Sequence, residues 1–193
     1  MLYMMIEILI SIVLLIPVFA GLNKVRFHSI KLSIFYFIFG AYLSAVYLLV
    51  GMPTLQFMQF ELSLTLLPFL PMIDDLKNTI LNMFLFVPLG ISLPFLWTKY
   101  NTLKGTLLFG FIMSLTIELL QILTYRATDI NDIIANTFGA GLGYFIFSLT
   151  SHLIPSVKQF SKKKNEEFII ILSVFIVMFF IQPFIANFYY KIT

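Results

Sequence analysis

Residues 168–190 read FIIILSVFIVMFFIQPFIANFYY, a run of 23 residues without a charged side chain. A helix needs about 20 mostly apolar residues to cross the hydrocarbon core of a bilayer, so this run is long enough to span one. Two further charge-free runs, residues 78–98 and 133–157, contain 21 and 25 residues. The sequence therefore predicts an all-α, polytopic membrane protein.

The composition of the 193-residue chain also favours a membrane protein. Hydrophobic residues make up 60% of the chain and charged residues only 11%, and the mean hydropathy is +1.00. A soluble domain carries roughly 25% charged residues, and one of this length could not bury so much apolar surface. Because the chain has no cysteine, disulfides, thiolate catalysis and thiolate metal sites are excluded.

Six apolar segments reach span length, and we interpret residues 1–193 as a single transmembrane domain. The first segment is not a signal peptide in this interpretation, because Lys24 and Arg26 follow its apolar run and no basic residue precedes it. Polar residues and prolines interrupt Pro53–Ile73, which favours an interfacial or re-entrant segment over a seventh span. The predicted spans are Leu2–Ala20, Leu32–Val50, Ile80–Trp97, Gly105–Leu123, Ile133–Ser151 and Phe168–Tyr189.

The basic residues predict that both termini lie outside the cell. Lys and Arg in short loops accumulate on the cytoplasmic side of a membrane protein. With the N-terminus outside, nine of the twelve basic residues fall inside and three, Lys77, Arg126 and Lys191, fall outside. Many Ile, Phe and Lys residues indicate an AT-rich bacterial genome, so we expect a multi-pass protein of the bacterial plasma membrane. The lipid bilayer is its first expected partner.

Polar residues recur with the spacing i, i+3, i+7 at the outer ends of the third, fourth and fifth spans. Residues at this spacing lie on one face of a helix. The short connection between the fourth and fifth spans predicts antiparallel neighbours whose polar faces can meet. The sequence therefore predicts a polar groove at the outer ends of helices 3–5. The three sets are Asp75, Asn78 and Asn82, then Glu118, Gln121 and Tyr125, then Asp129, Asp132 and Asn136.

Glu118 is the acidic residue placed deepest by this interpretation. It lies about seven residues, or roughly 10 Å at 1.5 Å per residue, inside the end of the fourth span. A carboxylate there costs on the order of 3 kcal/mol, so it must be neutral, hydrated or paired. Arg126, in the connection to the fifth span, is the predicted partner. The alternative is a purely structural network that locks the helix ends together.

Small residues continue the polar faces toward the middle of the membrane. Gly139 and Gly143 extend the stripe of the fifth span, and Gly110 and Ser114 extend that of the fourth. Small residues four apart let membrane helices pack closely. In the third span, the segment Pro88–Gly90 is a predicted kink. These residues have structural roles in our interpretation, with the polar groups facing the bundle interior.

The chemistry available to such a groove is limited. Both histidines, His28 and His152, fall on the predicted inner side, which removes the usual base of a nucleophilic hydrolase from the outer face. Glu118 and Asp132 could still form an acid–base pair. The spacing matches no recognised metal motif, so we expect no metal or other cofactor. A groove that binds a peptide, sugar or lipid headgroup is better supplied, and we expect no nucleic-acid partner.

The same residues carry a family resemblance over about residues 74–147. Their order and spacing resemble the VanZ-like family of bacterial membrane proteins, named after a member associated with resistance to teicoplanin and much less to vancomycin. The runs that carry it are Asn78-x3-Asn82-x5-Pro88-x-Gly90, Glu118-x2-Gln121 and Arg126-x2-Asp129-x2-Asp132-x3-Asn136-x2-Gly139-x3-Gly143.

The resemblance implies a protein that lowers susceptibility to teicoplanin-type lipoglycopeptides. Its outer groove would bind the drug or a lipid-linked cell-wall precursor. One alternative is a membrane enzyme that modifies an envelope lipid or wall component with Glu118 as acid or base, and a third is a small-molecule transporter. The candidate ligand-binding residues are Glu118, Arg126, Asn78, Asn82, Gln121, Asp129, Asp132 and Asn136.

Overall fold

The computed structural model describes residues 2–60, 64–65, 75–124, 128–153 and 166–192. Within these ranges, six helical segments are long and apolar enough to cross a membrane, which confirms the all-α, six-span prediction. The orientation of the termini stays a prediction. The segments are Tyr3–Phe27, Ile30–Leu49, Leu76–Leu96, Leu103–Gln121, Ile130–Leu153 and Glu166–Ile192.

The first and last segments each contain a π-helical turn, Asn23–Phe27 and Val177–Ile181. A 3-10 turn, Thr98–Tyr100, precedes the fourth segment. Strands β1 (Leu64–Thr65) and β2 (Thr128–Asp129) pair in parallel. The α-helices of the described residues are α1 (Leu2–Leu22), α2 (Ile30–Leu49), α3 (Leu76–Leu96), α4 (Leu103–Gln121), α5 (Ile130–Leu153), α6 (Glu166–Ile176) and α7 (Gln182–Ile192).

The chain divides into two compact units. The first consists of residues 1–59 and 164–193 and contains α1, α2, α6 and α7. The second consists of residues 60–163 and contains α3, α4, α5 and both strands. All the residues that carry the VanZ-like resemblance therefore belong to the second unit.

In the first unit, α2 packs against both α1 and α6. Its buried side chains recur every three or four residues, as expected for one face of a helix. Ser29 caps its start, because its hydroxyl oxygen accepts the N–H of Leu32 at 3.4 Å. Further along α2, the buried Tyr36 hydroxyl donates to the carboxylate of Glu166, which is buried at the start of α6. This hydrogen bond joins the last span to α2.

We expect Tyr36→Phe to lower the free energy of unfolding by about 1–3 kcal/mol, because a buried carboxylate oxygen loses its donor. Unfolding by sodium dodecyl sulfate in mixed micelles measures this change. Tyr3→Phe is the matched control, since Tyr3 is 69% exposed and its stability should equal that of the wild type. Equal stability of Tyr36→Phe and the wild type would contradict the prediction.

The stretch Pro53–Ile73 is described only at residues 53–60 and 64–65, and these parts contain no helix. Its start is held in the first unit, because the Tyr47 hydroxyl donates to the Pro53 carbonyl and the Leu55 N–H donates to the Phe179 carbonyl at 3.1 Å. Residues 61–63 and 66–74 lie outside the described residues, so the interfacial or re-entrant interpretation stays a prediction.

In the second unit, α5 packs against both α3 and α4. Helix α3 continues through Pro88 and Pro94 to Leu96. Helix α4 ends at Gln121, two residues before the predicted end of the span. Although Ile122 and Leu123 are apolar, tight turns follow Gln121, with the Leu123 N–H donating to the Leu120 carbonyl at 3.0 Å. Hydropathy alone therefore overestimates the length of this helix.

Candidate ligand-binding site

The closest helix contact of the second unit brings the backbones of α3 and α5 together. A Cβ atom on Gly139 would overlap the carbonyl oxygen of Met83 and lie 2.9 Å from its carbonyl carbon. A Cβ on Gly143 would lie 2.8 Å from the Cα of Gly90, and one on Gly90 would overlap the Ala140 carbonyl. The glycine stripe predicted to pack on the fourth span thus faces α3, because Gly90 leaves a matching gap there.

Helix α4 approaches α5 at a neighbouring level. A Cβ on Gly110 would lie 2.7 Å from the Cβ of Ala140. One turn further along α4, the Ser114 hydroxyl oxygen accepts a hydrogen bond from Nδ2 of Asn136 at 2.9 Å. Both residues are buried. This bond pairs two polar side chains well inside the helices, where hydrogen bonding between spans replaces contact with water.

Glu118 lies in the last turn of α4 and is only 1% exposed. Its Oε2 accepts the backbone N–H of Asp129 at 2.8 Å, and its carbonyl accepts the Thr128 hydroxyl at 3.1 Å. The carboxylate therefore lies at the N-terminal end of α5, where unpaired N–H groups and the helix dipole favour a negative charge. Because α4 ends at Gln121, Glu118 is about 4.5 Å from the helix end rather than the predicted 10 Å.

Asp129 and Asn131 shape the start of α5. One carboxylate oxygen of Asp129 accepts both the backbone N–H and the side-chain Nδ2 of Asn131, each at 2.8 Å. Asn131 is 4% exposed, and Asp132 lies half-buried in the first turn. Our sequence interpretation did not include Asn131, although an Asp two residues before an Asn at a helix start is a known turn signal.

We call Ser114, Glu118, Asp129, Asn131 and Asn136 the α4–α5 polar cluster. Gln121 adjoins it in the last turn of α4, 5% exposed, and its carbonyl accepts the Thr124 N–H at 2.9 Å. Arg126 and Tyr125, by contrast, lie outside the described residues. Ser114 entered the sequence interpretation only as a small residue, and its role as an acceptor depends on the packing of α4 on α5.

The predicted residues of α3 are placed differently. Asn78 is exposed, and both its backbone N–H and its Nδ2 donate to the carboxylate of Asp75, at 3.3 and 2.5 Å. These two residues form an N-terminal cap of α3 and are not hydrogen-bonded to the α4–α5 polar cluster. Asn82 is half-buried and precedes Met83, whose carbonyl faces Gly139.

The cluster is rich in hydrogen-bond acceptors. Asn136 is 3% exposed, and its Oδ1 has no hydrogen-bond donor among the described residues. The hydroxyl oxygen of the adjacent Thr137 is also buried without a described partner. Together with the carboxylates of Glu118, Asp129 and Asp132, these oxygens suit a ligand that donates hydrogen bonds. Among the described residues, no group of three His, Cys, Asp or Glu side chains could hold a metal ion.

These features define a helical membrane protein in which a buried, acceptor-rich cluster lies between two spans near one end of a three-helix unit. A family model described as VanZ/LLP1 matches residues 3–151. The chain therefore belongs to the VanZ/LLP1 family. The match is wider than the motif-bearing residues 74–147, since it also includes α1 and α2 and ends before α6.

A curated relative is protein VanZ of Enterococcus faecium. It is 31% identical over 117 residues, which cover 60% of this chain and 68% of that protein. No solved structure matches the chain.

Proposed function

We propose that the α4–α5 polar cluster binds a hydrogen-bond-donating ligand from the outer leaflet and that the chain thereby lowers susceptibility to teicoplanin-type lipoglycopeptides. Membership of the VanZ/LLP1 family supports the resistance role. The excess of basic residues on the opposite side supports the outward orientation of the cluster. The ligand is the drug or a lipid-linked wall precursor, both of which present hydroxyl and amide donors.

The observation that carries the proposal is the side-chain oxygen of Asn136. A buried acceptor without a donor costs about 1–3 kcal/mol, and Nδ2 of the same amide is already held by Ser114. A ligand group that donates to Oδ1 recovers this cost upon binding. The nearby carboxylates of Glu118 and Asp129 make a donor the favoured chemistry over an acceptor, since a ligand acceptor would face oxygen atoms of the same polarity.

Growth inhibition by teicoplanin and vancomycin in a susceptible Gram-positive host tests the proposal. At equal membrane abundance, we expect the wild type to protect mainly against teicoplanin. Asn136→Ala should weaken ligand binding by about fivefold, the equivalent of one hydrogen bond, and reduce protection accordingly. Asn187→Ala is the matched control, because Asn187 is exposed on α7, and it should protect like the wild type.

Ser114→Ala separates binding from packing. This variant breaks the Ser114–Asn136 hydrogen bond but keeps Oδ1 of Asn136. If Asn136 acts through its oxygen, Ser114→Ala retains more protection than Asn136→Ala. Equal protection by the wild type and Asn136→Ala would contradict the assigned site, and absence of protection by the wild type would contradict the resistance role.

The second candidate function is a membrane enzyme, and the fixed position of Glu118 favours it. The Asp129 N–H holds the buried carboxylate of Glu118 in one place, as a general acid or base requires. Identical lipid and wall-precursor mass profiles with and without the protein would exclude this function.

A further inference from the structure

A groove of about 280 Å³ lies between α1 and α2 in the first unit, away from the residues of the proposed function. Apolar side chains form most of its wall, and three of them, Ile16, Ile30 and Ile34, are 54%, 74% and 53% exposed. Sites for drug-sized molecules measure roughly 300–1,000 Å³. The volume of this groove is therefore suited to one hydrocarbon chain rather than to a larger ligand.

The polar atoms of the groove already have partners. The side-chain oxygen of Asn23 accepts the Ser29 N–H at 3.0 Å, and the Ser33 hydroxyl donates to the Phe19 carbonyl at 3.4 Å. These bonds leave mainly the hydrocarbon part of the wall for an occupant. Since only 17% of the first span is buried within the protein, against 39% of the second, α1 presents most of its surface to the bilayer.

Basic residues surround one end of the groove. Lys24 and Arg26 lie in the π-helical turn next to the lining residue Asn23, and Lys31 follows the lining residue Ile30. All three are exposed, and no acidic residue occurs from 8 to 60. The nearest acids of this unit at the start of α6, Glu166 and Glu167, are 0% and 1% exposed. The surface at this end of the groove is therefore positively charged.

We propose that this groove binds one acyl chain of an anionic phospholipid, whose phosphate pairs with Lys24, Arg26 and Lys31. Apolar walls below a basic rim match a lipid with a hydrocarbon tail and a negative headgroup. Basic pockets between membrane helices bind anionic lipid headgroups in this way. The site takes a structural or regulatory lipid and does not depend on the proposed resistance function.

Native mass spectrometry of the full-length protein in detergent tests the proposal with phosphatidylglycerol and phosphatidylcholine of identical acyl chains as probes. We expect the wild type to retain one phosphatidylglycerol in preference to phosphatidylcholine. Replacing Lys24, Arg26 and Lys31 singly with Gln should reduce this preference by about fivefold per basic residue, the electrostatic effect of one Lys or Arg at an anionic surface.

A second variant, Ile34→Trp, fills the groove and should reduce retention of both lipids without changing the basic rim. Lys104→Gln is the matched charge control, since Lys104 is exposed at the start of α4 in the second unit, and it should retain phosphatidylglycerol like the wild type. Thermal melting of each variant checks that it is folded. Equal retention of the two lipids by the wild type, an equal loss in Lys104→Gln, or a dimer mass without lipid would overturn the proposal.

Discussion

Replacing Gly139 with Ala should lower the free energy of unfolding by about 3 kcal/mol or more, the upper range for overpacking a well-packed contact. The added methyl group would overlap the Met83 carbonyl, which is backbone and cannot rotate away as a side chain could. Gly90→Ala should have a similar effect, because its methyl group would overlap the Ala140 carbonyl. Either change forces α3 and α5 apart.

Unfolding by sodium dodecyl sulfate in mixed micelles measures this loss. Gly21→Ala is the matched control, because no atom lies within 4 Å of the position that its methyl group would occupy. Removing a helical glycine there should stabilise the protein by up to about 1 kcal/mol. Wild-type stability of both Gly139→Ala and Gly90→Ala would show that the contact between α3 and α5 is looser than the structure indicates.

Replacing Glu118 with Ala should abolish protection against teicoplanin. The change removes the acceptor of the Asp129 N–H at the start of α5, and a buried donor without an acceptor costs about 1–3 kcal/mol. It also removes a carboxylate from the α4–α5 polar cluster. Drug susceptibility at equal membrane abundance measures the functional effect, and unfolding of the purified variants measures the structural one.

Glu118→Gln separates the two candidate functions. Its amide oxygen can still accept the Asp129 N–H, so a binding site should retain part of its protection, whereas acid–base catalysis should be lost as completely as in Glu118→Ala. Glu7→Gln, a half-buried acid of α1, is the matched control and should protect fully. Full protection by Glu118→Ala would show that Glu118 has no part in the function.

The spans could be predicted from the sequence because hydropathy is summed over some 20 neighbouring residues. Charge also placed Asp75 and Asn78 at the start of the third span, but it could not separate a local cap from a binding residue. Both kinds of residue have the same spacing on a helix. The structure separates them, since Asn78 is bonded to Asp75 and exposed, whereas Asn136 is bonded to Ser114 and buried.

The end of α4 could not be predicted from hydropathy either. Ile122 and Leu123 continue the apolar run, and the turn that follows Gln121 depends on hydrogen bonds that no composition average contains. The pairing of Glu118 with the Asp129 N–H follows from this turn. Arg126, the partner predicted from its charge, lies outside the described residues.

The sequence by itself determined that this chain is a six-span helical membrane protein with its polar residues gathered near the ends of three spans. The physical reason is that apolar length and the cost of polar groups in lipid act on each segment separately. Only the tertiary structure decided which polar groups meet. That outcome depends on the rotation of each helix about its axis, which is set in the second unit where Gly90, Gly139 and Gly143 let the α3 and α5 backbones touch.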